Sequence, residues 1–353
     1  MPSAAVRNVN VMRYMGNKRR LLPRIVDAVS ALSSPGDLVV DLMGGTHCVG
    51  SALAERNRVV ANDVGVYTLP IGRALLQRPR GFDPDAYLSL VAAAAAENRA
   101  AGIFTFFQTH YKNTYFSPRQ CGEIDDLRYA VEALDVEDRY AADLALAALI
   151  SAMCYAQSTP GHFAQFMPAG HERVQTLRAI GITEEFSERF RHWPIAAASR
   201  SHTVLAEDWR VVFAAGFADG ARVIYVDPPY NGEQYSRFYH LLETLVRYDG
   251  PELRHKARYR VGRFKSSFCY HRTVEDEFRE LFRRCADACD ADIVLSYSST
   301  GLVEAERFAH LCCQTYGVER IEEIDHAHST QGKGLKGGVR ELLITFRRGR
   351  SEA

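Results

Sequence analysis

The stretch Val39-Val40-Asp41-Leu42-Met43-Gly44-Gly45-Thr46-His47-Cys48-Val49-Gly50-Ser51-Ala52-Leu53 runs from an apolar strand through a tight glycine turn into the start of a helix. A turn of this kind commonly holds a nucleotide. His47 stands where a third glycine is usual, so the stretch alone leaves two readings: a cofactor loop, or an ordinary strand-to-helix connection.

Working outward, residues 21–32 have helical spacing and end at the breaker cluster Ser33-Ser34-Pro35-Gly36. Residues 38–43 form a short buried strand, 49–56 a helix, 58–61 a second strand, and about 67–77 a second helix after Asn62-Asp63. Strand, helix, strand, helix is the opening of a parallel, doubly wound α/β sheet. The alternation then stops. Residues 83–101, 118–134, 138–156 and 171–190 all carry helical patterns, with loops at 105–117 and 158–163, so a mainly helical insertion interrupts the sheet between about 78 and 200. Strands resume at 203–206, 222–226 and 292–297, with helices expected at 236–248, 273–289 and 302–316. Strands at 318–324 and 340–346 close the chain as an antiparallel hairpin edge, their connection rich in glycine. The expected architecture is a mostly parallel sheet of about seven strands.

A chain of 353 residues with 47% hydrophobic and 24% charged residues buries a large core and reads as a soluble globular protein. Lys+Arg and Asp+Glu number 43 each, so a polyanionic partner must be met by a local basic patch rather than by net charge. Two acid-free basic stretches exist: residues 1–24, with Arg7, Arg13, Lys18, Arg19, Arg20 and Arg24, and residues 254–265. The eight cysteines show neither CxxC pairs nor zinc-site spacing, so the pattern suggests no disulfide framework and no metal. Cys285, Cys289, Cys312 and Cys313 fall in helical patterns as buried thiols. No apolar leader follows the early arginines, and the longest uncharged apolar run, 144–156, is too short to cross a bilayer. A cytoplasmic protein with no membrane partner is expected.

The sharpest chemical signal is Val223-Ile224-Tyr225-Val226-Asp227-Pro228-Pro229-Tyr230, a buried strand that ends in an acid, two prolines and an aromatic. Ligands of open α/β sheets bind beyond the carboxyl ends of the strands, so this turn and the loop after Met43 face one crevice. The prolines fix their own φ angles and remove two amide donors. What remains is a carboxylate, a free carbonyl and a ring, a set that suits a planar base with an exocyclic amine. At average usage such a tetrad arises by chance in roughly one in a thousand chains of this length.

Asp227-Pro228-Pro229-Tyr230 after a strand, with Asp41-Leu42-Met43-Gly44-Gly45-Thr46 upstream, resembles the S-adenosylmethionine-dependent DNA adenine N6-methyltransferases in which the cofactor motifs precede the catalytic one. Arg13-Tyr14-Met15-Gly16-Asn17-Lys18 resembles their amino-terminal motif, Asn62-Asp63 with Tyr67 the end of their second strand, and Glu207-Asp208-Trp209 their short acidic-aromatic motif. The resemblance covers about 200 to 220 residues and implies a Rossmann-like class I methyltransferase fold, with residues 1–77 and 201–353 as the catalytic domain and 78–200 as a helical target-recognition insertion. It implies S-adenosylmethionine as cofactor, without metal, held by Tyr14, Gly16, Lys18, Asp41, Met43, Gly45, Thr46, Asp63, Asp208 and Asp227. Lys18 would take the carboxylate, Asp63 the ribose hydroxyls and Asp208 the adenine; Asp41 has helix capping as its alternative role, and Asp208 the start of a loop.

The implied substrate is double-stranded DNA, whose target base must be flipped to reach a methyl donor. Asp227 and the Pro228 carbonyl would hold its amine, Pro229 would shape the turn, and Tyr230 would replace lost stacking. Backbone contact is expected from Arg254, Lys256, Arg258, Arg260, Arg263 and Lys265, and contact with bases or backbone from Lys112, Arg119 and His162 in the insertion. Lys333 and Lys336, on the glycine-rich loop, are further candidates. A cognate restriction endonuclease acting at the same site is an implied partner. N4-cytosine methylation, RNA adenine methylation and a catalytically silent DNA-binding module are the competing readings. His240 and Glu243 share a helix face but lack a third ligand, so packing or hydrogen bonding is expected of them. His47 departs from the family's glycine, and we expect it to be neutral and positional.

Overall fold

The computed structural model of the chain describes residues 11–12, 16–194, 201–312, 315–325 and 339–349. Tyr14, Lys333, Lys336 and Cys313 lie outside the described residues.

Strands β1 (Leu38–Asp41), β2 (Arg58–Asn62), β3 (Thr203–Leu205), β4 (Ala221–Val226), β7 (Asp292–Ser298), β8 (Tyr316–Asp325) and β9 (Arg340–Arg348) form one sheet in the order β3-β2-β1-β4-β7-β9-β8. The pairings from β3 to β7 are parallel, and β9 runs antiparallel to both β7 and β8. This is the expected mostly parallel, Rossmann-like sheet, with its hairpin edge. β1, β4 and β7 are buried almost throughout, as strands covered on both faces must be. Between β1 and β4 the chain reverses its direction of travel across the sheet, which opens a crevice at their carboxyl ends.

The helix Cys48–Leu53 is buried at every position, so close to the sheet that a Cβ on Gly50 would lie 3.0 Å from Asp41 Oδ2. Small residues at 50–52 permit that approach. The helices Pro84–Ala101, Pro118–Glu137, Arg139–Ala156, Glu172–Ala179 and Ile182–Arg191 fill the interruption between β2 and β3. Three of them start on sequence signals: Asp83, Ser117 and Asp138 accept amide hydrogens as N-caps, with proline in the first turn of two. Arg139–Ala156 is buried nearly all round and packs on the sheet-covering helix Thr68–Leu76. One continuous apolar cluster therefore joins the insertion to the sheet, from Val39 and Tyr225 through Ile71 to Leu149 and Phe186.

Three expectations need correction. The helix expected at 171–190 is two helices, because the chain turns at Ile180-Gly181, where Gln120 and Arg119 take the Ile180 carbonyl. The one expected at 236–248 breaks at Tyr239 into Tyr235–Phe238 and His240–Arg247, with the Phe238 carbonyl accepting from the Phe163 amide. The one expected at 302–316 shrinks to a 3-10 turn and Phe308–Leu311, and Tyr316 is taken into β8 by pairing with Arg348. The basic stretch contains a two-residue ladder, β5 (Leu253–Arg254) with β6 (Tyr259–Arg260), which is too short for a visible alternation.

Candidate active site

A cavity of about 610 Å³ opens at the carboxyl ends of β1 to β4. Asp41 to Thr46, Asp63, Asp208 with Trp209, and Asp227 to Pro229 contribute to its walls, as do Gly16, Lys18 and Tyr235. The chain folds so that each strand delivers one acid to this mouth: Asp41 from β1, Asp63 from β2, Asp208 from β3 and Asp227 from β4.

Asp41 is fully buried; its Oδ2 accepts from the Gly50 amide at 2.8 Å, and its Oδ1 has no hydrogen-bond partner among the described residues. Burial, reinforced by Asp227 and Asp63, pushes its pKa up to about 8. Of its two expected roles the structure shows the brace for the helix, and the residue also borders the cavity. Asp63 accepts from the Gly45 amide at 2.9 Å and the Gly65 amide at 2.8 Å, pinning the glycine turn, and burial raises its pKa. Asp208 caps the helix Trp209–Ala214 by accepting from the Arg210 amide.

At the centre, Lys18 Nζ lies 2.9 Å from Asp227 Oδ1 and 3.2 Å from Glu341 Oε1, and donates to the Gly16 carbonyl and the Tyr230 hydroxyl. The Tyr230 hydroxyl stands 2.6 Å from Asp227 Oδ1 and 2.7 Å from Glu341 Oε1. Burial opposes the Lys18 charge, but Asp227 and Glu341 outweigh it and hold its pKa above the usual lysine range. For Asp227, burial and Glu341 outweigh Lys18 and Tyr230, bringing it up to about 6. Glu341 escaped the sequence reading. Its only signal is an acid in the apolar run Arg340-Glu341-Leu342-Leu343-Ile344, and only the register of β9 on β7, with Glu341 opposite Ser298, turns it inward.

Tyr230 differs from expectation. Its ring packs edge-on against Tyr297 with centroids 5.3 Å apart, and its hydroxyl is occupied by the Lys18 cluster, so Asp227, Pro228 and Pro229 form the cavity wall here. His47 is the amino-terminal residue of its helix at φ 57°, and its buried ring fits between Gly44 and Gly72, where an added Cβ would meet it at 2.5 and 2.7 Å. Burial lowers its pKa to about 4, so it is neutral at pH 7, as expected.

The basic stretch is only partly free. Arg260, 9% exposed, makes a two-pronged pair with Asp249, and Arg254 pairs with Glu252; both acids lie just outside the acid-free run. Arg263 lies over the Tyr259 ring, while Lys256 and Lys265 are exposed. Lys265, Arg263, Arg237 and His255 line a second hollow of about 590 Å³ that shares Arg263 and Lys265 with the first. Arg258 takes φ 53° in the turn between β5 and β6. In the insertion, Arg119 pairs with Glu123 and donates to the Ala179 and Ile180 carbonyls, Lys112 is exposed, and His162 packs on Phe238. His240 bonds through Nε2 to the Phe163 carbonyl, and Glu243 pairs with Arg247.

Sheet order and a four-acid cavity at the switch point define a Rossmann-like protein with its ligand site at the carboxyl ends of the strands. The chain belongs to the D12 class N6 adenine-specific DNA methyltransferases, whose family pattern matches residues 14–302. It is 24% identical to modification methylase LlaI of Lactococcus lactis subsp. lactis, over 96% of this chain and 55% of that protein. To the type II methyltransferase M.FokI of Planomicrobium okeanokoites it is 26% identical, over 88% and 49%. M.NlaIII of Neisseria lactamica, also a type II methyltransferase, is 25% identical over 83% of this chain and 85% of its own length. The chain thus spans about half the length of the first two.

Proposed function

We propose that this chain transfers a methyl group from S-adenosylmethionine to N6 of a flipped adenine in double-stranded DNA. The observation that carries the proposal is the position of Asp227: at the switch point, on a double-proline turn, with Oδ1 held by Lys18 and Tyr230 and Oδ2 forming no hydrogen bond to another described residue. The acid-rich cavity fits the cofactor. Its methionine end suits Asp41 and the glycine turn, its carboxylate suits Lys18, and its ribose hydroxyls and adenine suit Asp63 and the Asp208-Trp209 wall. When bound, the cofactor supplies an electrophilic methyl on a good leaving group.

The residues of the chain do the rest. Asp227 and the Pro228 carbonyl accept the two amine hydrogens, which favours a nitrogen whose lone pair is free to attack, and in-line positioning contributes much of the remaining rate. The helices between 78 and 200 form the recognition insertion, and Lys256, Arg263 and Lys265 meet phosphates at the cavity rim. A partner nuclease, cutting the same site when unmethylated, completes the reading, in keeping with relatives named as modification methylases.

Incubation with methyl-labelled cofactor and duplex DNA, followed by digestion to nucleosides, tests the assignment. N6-methyladenine is the expected product. Label in N4-methylcytosine, transfer only to RNA, or DNA binding without transfer would each replace this reading by one of its competitors.

A further inference from the structure

Glu341 is 2% exposed and comes from β9, two strands along the sheet from β4, which leads into the catalytic turn. A buried carboxylate is costly unless its lone pairs are taken up by charged or polar donors. Glu341 meets that demand with the same two groups that bind Asp227: the Lys18 ammonium at 3.2 Å and the Tyr230 hydroxyl at 2.7 Å. Two carboxylates therefore share one lysine and one phenol, in a closed ring of four side chains from the amino-terminal segment, the catalytic turn and β9.

The sharing has a geometric consequence. Both contacts to Asp227 run through Oδ1, and Oδ2 has no bond to another described residue. With Asp227 as its sole anionic partner, the Lys18 ammonium would be drawn onto that carboxylate, as a buried cation seeks full pairing. Glu341 draws it the other way. Likewise the single phenolic proton of Tyr230 can serve only one carboxylate at a time, so Glu341 lightens that demand too. Resting on the adenine-methylation reading, we propose that Glu341 is a positioning residue that holds Lys18 and Tyr230 back so that Asp227 keeps an oxygen for the substrate amine.

The test uses the full chain with Glu341→Gln, which keeps the shape and removes the charge, and Glu341→Asp, which keeps the charge on a shorter arm. Turnover number, cofactor affinity, melting temperature and the pH profile of kcat/KM are measured for each. Asp227 is faced by Lys18 from the amino-terminal segment, Glu341 from β9, Tyr230 and Tyr235 after the catalytic turn, Tyr225 on β4 and Asp41 on β1. Of these, Glu341 raises the Asp227 pKa, so its neutralisation moves the acid limb to lower pH.

The expected result for Glu341→Gln is a fall in kcat on the order of 100-fold from misplacement, cofactor affinity within about threefold, and a downward limb. Glu341→Asp regains part of the rate and keeps the wild-type limb. A Glu341→Gln protein with kcat within twofold of wild type, or a rate loss with an unmoved limb, overturns the proposal. Should Glu341→Gln fail to fold, a Glu341→Asp protein that folds with wild-type turnover does the same, and reduced turnover at unchanged cofactor affinity supports it. The product made by wild type tests the function reading, whereas the variant-to-wild-type ratio, on whichever amine is methylated, tests Glu341.

Discussion

Lys18 Nζ and Asp227 Oδ1, 209 positions apart in the chain, form a buried pair at 2.9 Å that ties the amino-terminal segment to the catalytic turn. Lys18 is therefore bound from within before any ligand arrives. A cofactor carboxylate would compete with two protein carboxylates for one ammonium, whose attraction favours the ionised form of Asp227.

The first prediction concerns that charge state. Asp227 must be ionised to accept the amine hydrogens, and its pKa is pushed up to about 6. In the free enzyme kcat/KM should therefore fall as pH drops through about 6 and level off above it. Lys18→Met removes the cation that lowers the Asp227 pKa, so its limb moves to higher pH, opposite to Glu341→Gln. Steady-state kinetics across pH 5 to 9 read both, and a Lys18→Met limb at or below that of wild type would contradict the electrostatic account.

Removal of the acceptor itself should be severe. Asp227→Ala is expected to lower kcat about 100- to 1,000-fold, in the range seen when one preorganised polar group is lost from a catalytic site. Cofactor and DNA binding should persist. Single-turnover transfer together with equilibrium binding separates the two effects.

His47 offers a prediction in which local strain and packing oppose each other. Its φ of 57° costs about 1–2 kcal/mol for a residue with a Cβ, and His47→Gly removes that cost but leaves a void beside Gly72. The variant should retain turnover within a few-fold. Gly72→Ala, whose Cβ would meet Val204 at 2.6 Å and His47 at 2.7 Å, should cost about 1–3 kcal/mol by overpacking. In the His47→Gly background that cost should shrink, and a double-mutant cycle from denaturant melts measures the coupling.

The same ring predicts an acid-side stability slope. With a folded pKa of about 4 against an ordinary 6.5, His47 binds fewer protons folded than unfolded across that window. Its contribution is thus fully present above about pH 6.5 and lost as pH falls to about 4. His47→Gly should flatten the stability-versus-pH curve there relative to wild type. Parallel curves would show that the ring titrates normally in the folded protein.

On DNA, neutralising Lys256, Arg263 or Lys265 should each weaken binding and reduce the slope of log K against log salt by about 1. Arg260→Ala should instead lower the melting temperature, because its guanidinium is buried and already paired with Asp249. Anisotropy titrations over a salt series, beside thermal melts, distinguish the two kinds of arginine.

The sheet was legible because its strands are short apolar runs that end in acids or glycine, and the catalytic turn because two prolines after a strand are rare. Helix starts were legible where Asp83, Ser117 and Asp138 stand as caps. Helix interruptions were not, since the break at Tyr239 depends on a Phe163 amide 76 residues away in the chain. Glu341 was hidden for a related reason: an acid in a strand shows its face only when the register is known. The basic stretch misled because Asp249 and Glu252 lie just before it and reach back by a turn of the chain. Tyr230 was expected as a stacking surface from its position in the motif, whereas the side chain's actual resting place depends on Lys18, Tyr297 and Glu341.

The Phe163 loop has one more consequence. Its amide bonds the Phe238 carbonyl, its carbonyl takes His240, and Tyr115 from the insertion reaches the Phe163 and Ala257 carbonyls, so the insertion is stitched to the segment that follows the catalytic turn. On the proposed reading of residues 78–200 as the recognition insertion, an engineer wishing to graft a new sequence preference onto this scaffold cannot exchange them as a cartridge. The graft must carry its own matching stitches around 238–260, or the two halves must be redesigned as one.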